Sequence, residues 1–206
     1  RKTCQTKNSI HLIDQQTPQK MLSDLLTLMQ KGRIQGKDFR MLIDSGALLK
    51  GLSNLSVARK MLKSLGSPIE GILFFNEKEE LVVLERNQPY PLPFHRSLLK
   101  PEQLCTYCDH KHIYGADTQQ TSEAIGLCTL DRQTTYEEMI QGVGRLRKVM
   151  EGQKPEFVLS RAFNSVLNHS KTEVVSIDQL IEEAKINSQS EAEERLYRSL
   201  KQLMHN

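Results

Sequence analysis

The stretch 124–130, AIGLCTL, is almost continuously apolar, and a capped amphipathic stretch begins soon after it at Thr135. A run without polar alternation has both faces buried, as a strand has in a parallel sheet covered by helices. Parallel neighbours must be joined by a crossover, usually a helix. This one feature therefore confines the chain to α/β architectures.

The rest of the chain repeats the alternation. Residues 17–31 predict a helix: Thr17 caps it, Pro18 suits its first turn, Met21, Leu22, Leu25, Leu26, Leu28 and Met29 form an apolar face, and Gly32 is the expected stop. FRMLI at 39–43 predicts a strand running into the turn Asp44-Ser45-Gly46, and 54–65 predicts a second helix closed by Gly66. The runs 69–75 and 81–85 flank the charged turn NEKEE and predict a β-hairpin. RNQPYPLPFHRS reads as a proline-rich loop, QLCTYC at 103–108 as a strand, and DHKHIYGADTQQ as a polar loop. Thr135 and Glu138 make a capping-box pair for a helix expected over 135–150. KPEFVLS then predicts a last strand, and helices are expected at 176–185 and 190–204. The expected organisation is a frayed 1–9, an α/β domain with a mostly parallel sheet over 10–160, and an α-helical extension over 161–206.

With 28 basic and 25 acidic side chains and a formal charge of +3, the balance gives no argument for nucleic acid, whose binding domains carry a basic stripe. No apolar run reaches membrane-spanning length, and RKTCQTKNS lacks a signal-peptide core. Four cysteines in this length suit a reducing compartment rather than a disulfide framework, so a cytoplasmic location is expected. A start at Arg1 rather than Met is expected of a piece of a longer protein.

Functional loops of open parallel sheets lie at the carboxyl ends of the strands. Three segments qualify: Asp44-Ser45-Gly46, the loop 109–120, and the helix start after Leu130. The third contains Gln141-Gly142-Val143-Gly144-Arg145-Leu146-Arg147-Lys148. This resembles the Q-x-x-G-R-x-x-R motif of superfamily-two helicases. Along a continuous helix, Gln141, Arg145 and Lys148 would share one face, with Arg147 near the apolar edge. The order QLCTYC, DHKHIY, Gly115-Ala116-Asp117, AIGLCTL, arginine helix is also similar to the second RecA-like lobe of that superfamily.

The resemblance implies a three-layer RecA-like lobe facing a first lobe that carries the phosphate loop, with ATP and Mg held between them in the intact parent only. Arg145 would be the arginine finger, stabilising charge at the γ-phosphate, with Gln141 beside it. Gly115, Asp117, Lys148, Arg147, Asp44 and Ser45 would lie near the nucleotide. Lys148 stands where the superfamily has its second arginine, and an ammonium cannot form the planar fork. A nucleic-acid track would cross the loops 45–52 and 111–120. No G-x-x-x-x-G-K-[ST] phosphate loop exists in the chain, so the fragment alone is not expected to hydrolyse ATP.

The segments MLIDSGALLKGLSNLSVARKML, EGILFFNEKEELVVLER, YCDHKHIYGADTQ, TYEEMIQGVGRLRKV and GQKPEFVL resemble more closely a family of very long, chiefly eukaryotic cytosolic proteins. These carry adjacent domains of unknown function and are sometimes labelled ubiquitin-thioesterase-like. Where that family has D-E-x-H-T-R-G-T-D and Q-x-x-x-R-M-R, this chain keeps Asp109, His112, Gly115, Asp117, Gln141, Arg145 and Arg147. It replaces the threonine and arginine with Ile113 and Tyr114.

Three other readings follow. A cysteine hydrolase, with a ubiquitin-pathway partner, would use Cys105, Cys108 or Cys128 with His110 or His112 as base. Of the three, only Cys108, at a strand end, has a setting suited to a thiolate. A zinc site would draw on Cys105, Cys108, His110 and His112, although a strand points Cys105 and Cys108 to opposite faces. A non-catalytic interaction module would present Leu180, Ile181, Ala184, Leu196, Leu200 and Leu203; the alternative for these residues is that they cover the sheet.

Overall fold

The computed structural model describes residues 10–113, 118, 120–167 and 175–204. In chain order the elements are β1 (Ile10–Ile13), α1 (Pro18–Ile34), β2 (Phe39–Ile43), α2 (Asn54–Leu65), β3 (Gly71–Phe75), β4 (Leu81–Glu85), β5 (Leu92–Pro93), β6 (Leu104–Cys108), β7 (Ile125–Leu130), α3 (Tyr136–Val143), β8 (Lys154–Ser160), α4 (Arg161–Leu167) and α5 (Ile177–Met204). The strands form one mixed sheet in the order β1-β8-β7-β2-β6-β3-β4-β5. Every pairing from β1 to β3 is parallel, and β3-β4-β5 is antiparallel. The fold class is α/β with a mostly parallel sheet, as the alternation predicts.

Side chains alternate across this sheet. Leu42, Cys105, Tyr107, Leu127 and Val158 join a core with α1 and α2 residues such as Leu25, Met29, Val57 and Met61. Met41, Ile43, Cys108, Cys128, Leu130, Phe157 and Leu159 join a second core with Met139 of α3, Phe163 of α4 and Leu180 and Ala184 of α5. Helices thus cover both faces of the central strands, which is why those strands are largely apolar. The segment expected as an appendage contributes Phe163, Leu180 and Ala184 to the core. The side chains of Leu196, Leu200 and Leu203 lie outside the described residues.

Several boundaries differ from expectation, each for a packing reason. Helix α1 runs past Gly32 to Ile34. Gly32 is a close-approach glycine: a Cβ there would lie 2.2 Å from Cε2 of Phe39, so the ring of β2 fits against the helix only at this position. The helix expected over 135–150 ends at Val143. After it, the amides of Arg145 and Leu146 bond the carbonyls of Gly142 and Val143 at 3.0 and 2.9 Å. This tightened turn lowers Leu146 onto Gly126 of β7, where a Cβ would meet the leucine at 2.9 Å. The two helices expected at 176–185 and 190–204 are one continuous α5. Strand β1 was not anticipated, and β5 lies within the expected proline-rich loop. No helix among the described residues is long and apolar enough to cross a membrane.

Candidate functional site

Three adjacent parallel strands, β7, β2 and β6, each hand over to an aspartate at the carboxyl end: Asp131, Asp44 and Asp109. Between these turns and α5 lies a cleft of about 840 Å³. Its lining includes Asp44, Asp109, Asp131, Glu138, Glu191 and Glu194, against Lys50, Lys111 and His110.

Asp44 holds the turn after β2. Its carboxylate accepts from the amides of Leu48 and Leu49 at 2.9 and 3.0 Å and from the Thr129 hydroxyl at 2.7 Å. Burial pushes its carboxyl up from the ordinary value, opposed by these hydrogen bonds and by His110. With its oxygens engaged by its own loop and by β7, Asp44 is a structural anchor rather than a ligand contact. Gly46 next to it passes so close to β7 that a Cβ would lie 2.7 Å from the Asp131 amide nitrogen. The Asp-Ser-Gly turn is therefore dictated by the neighbouring strand.

Ser45 is 1% exposed, and its hydroxyl has no hydrogen-bond partner. It faces α3: a Cβ at Gly142 would lie 2.1 Å from Ser45 Oγ. The glycine of the Gln141–Arg145 segment thus seats α3 directly on the turn after β2. Gln141, Arg147 and Lys148 are exposed, whereas Arg145 is only 6% exposed. The helical face expected to align Gln141, Arg145 and Lys148 does not exist, because α3 stops at Val143. Arg145 Nε reaches back to the Gln141 carbonyl at 3.5 Å, and its charge lies near enough to the Cys108 thiol to act on it. Gly115 and Asp117 lie outside the described residues.

The loop after β6 contains two differently employed histidines. His110 places Nδ1 3.0 Å from the Ser45 carbonyl and Nε2 3.4 Å from Glu138 Oε1. His112 pairs through Nδ1 with Asp109 at 2.5 Å and stacks on Phe75, with centroids 4.2 Å apart and planes 4° from parallel.

The thiols are poor nucleophiles. Burial pushes Cys105 and Cys108 up to about 12, Arg145 only partly opposing it at Cys108, and burial also pushes Cys128 up. The Cys108 thiol points to the His112 carbonyl at 3.0 Å, not to an imidazole. Cys105 and Cys108 lie in different cores on opposite sides of the sheet, so they cannot share a metal with His110 and His112. Among the described residues no group of three or more His, Cys, Asp or Glu side chains is arranged to hold a metal ion. Thr129 and Glu138 complete the rim, and sequence reasoning did not assign them to it. For Glu138 the capping box was the only signal, and it reported a helix start, not a rim contact.

No protein-family model, curated protein or solved structure matches this chain.

Proposed function

We propose that this chain is the second, RecA-like lobe of a two-lobed nucleotide-dependent ATPase. In this reading the sheet with helices on both faces is the three-layer lobe, and a first lobe elsewhere in the parent supplies the phosphate loop, ATP and Mg. The observation that carries the reading is the seating of Gly142 on Ser45. It brings the Gln141–Arg145 segment to the carboxyl-end rim, where an open α/β sheet binds ligands.

In this reading the roles within the segment divide. Arg145, largely covered, fixes the turn against the end of β6. The chain then runs toward the amino end of β7, where the Lys148 amide bonds Gln153 and Gln153 bonds the Thr121 carbonyl, so of the segment's cations Arg145 is the one that a γ-phosphate at this rim would meet.

The test is ATP turnover by the intact parent with Arg145→Ala, Arg147→Ala and Lys148→Ala. Loss of an arginine that stabilises the transferring phosphoryl group lowers kcat by about 10³-fold or more. Unchanged turnover with Arg145→Ala rejects the reading.

A further inference from the structure

His110 joins three separate elements of the rim. It follows β6, its Nδ1 faces the Ser45 carbonyl of the turn after β2 at 3.0 Å, and its Nε2 faces Glu138 of α3 at 3.4 Å. Both facing atoms are acceptors. The other oxygen of Glu138 already accepts from the Thr135 amide at 2.9 Å, which fixes the carboxylate in place. A neutral imidazole has one N–H and one lone pair. It can satisfy one of these acceptors and must turn a lone pair toward the other. An imidazolium donates to both.

We infer that His110 is a proton-operated latch, which clasps the amino end of α3 to the turn after β2 when its ring is protonated and loosens that rim when the ring is neutral. Charged groups surround it. Asp44 acts on it from the turn after β2, Glu138 faces it from α3, and Lys50, Asp131 after β7, and Glu191 and Glu194 of α5 line the same cleft. On its own turn Asp109 precedes it and Lys111, paired with Glu79, follows. The ring is 43% exposed, so protons reach it without unfolding. The latch rests on the rim geometry alone and holds whether or not the chain serves an ATPase.

Hydrogen exchange tests it. Exchange of the Leu48, Leu49, Glu138 and Met139 amides, corrected for intrinsic rates, is followed across roughly pH 5–8, the range in which histidine side chains change charge. The latch gives about two- to five-fold greater protection on the acid side, the size of a half-exposed ion pair. Glu138→Gln keeps the capping box, since glutamine serves at that position, and abolishes the response. His110→Gln abolishes it as well. Salt at about 1 M, where screening acts within about 3 Å, reduces it in the unaltered chain and gives a reading that needs no variant. A flat profile in the unaltered chain, or an undiminished response in Glu138→Gln and in high salt, overturns the latch.

Discussion

Gly142 of α3 and Ser45 of the turn after β2 are in direct contact: a methyl group at 142 would stand 2.1 Å from the serine hydroxyl oxygen. Ser45 is buried, so its hydroxyl has little room to yield. Gly142→Ala is expected to destabilise the fold by about 1–3 kcal/mol, as overpacking of a tight core does. Urea unfolding measures this. In a Ser45→Ala background the cost should shrink, and the double-mutant cycle should show the coupling.

Ser45→Ala by itself should be neutral or stabilising. The hydroxyl is buried without a partner, and an unmade hydrogen bond of this kind costs about 1–3 kcal/mol. A loss of stability beyond about 1 kcal/mol in thermal unfolding would show that the hydroxyl is engaged.

Asp44→Ala removes three acceptor contacts, to Leu48, Leu49 and Thr129, and leaves their donors unsatisfied in a buried turn. A loss of about 3 kcal/mol or more is expected, together with faster hydrogen exchange of the Leu48 and Leu49 amides. Retention of native protection at both amides would contradict the anchoring role.

Glu156 of β8 ties the sheet edge together, accepting from His11 of β1 and Lys37 at 2.7 Å each. Burial pushes its carboxyl up, but these two hydrogen bonds and the attached charges more than offset that and hold it below its ordinary value. A lowered folded value means that the unfolded chain binds the proton first. The stabilisation is therefore complete above about pH 5 and is lost as the pH falls through the ordinary glutamate value of about 4.3 and then the lower folded one. Glu156→Gln should be less stable near neutrality and should flatten the acid limb of the stability profile.

Cys105, Cys108 and Cys128 should resist alkylation in the native protein. Their thiols are buried and pushed up in pKa, and the thiolate is the reactive species. Peptide-resolved mass spectrometry after brief iodoacetamide treatment at about pH 8 should find them unmodified until denaturant is added. Rapid native labelling of Cys108 would reopen the cysteine-hydrolase reading.

The sequence by itself determined the fold class, because a buried parallel strand must be apolar on both faces and its crossover helices must carry an apolar stripe. FRMLI, KPEFVLS and 54–65 fall where the pattern places them, and so does the hairpin around NEKEE. Local chemistry was equally legible: the Thr135–Glu138 capping box is present as read. What only the tertiary structure decided depends on contacts between distant segments. Gly32 reads as a helix stop, but Phe39 makes it a packing position. The periodicity of 135–150 reads as one helix, but Leu146 must descend onto Gly126, which ends α3 at Val143 and carries Arg145 off the expected face. Asp44 reads as a candidate ligand residue until Thr129, far along the chain, occupies it. His110 reads as half of a cysteine–histidine cluster, while strand alternation sends Cys105 and Cys108 to opposite sides and the rim gives His110 a carbonyl and a carboxylate instead. A sequence encodes periodicity and capping locally, but a glycine or a histidine takes its role from the neighbour it meets, and folding alone supplies that neighbour.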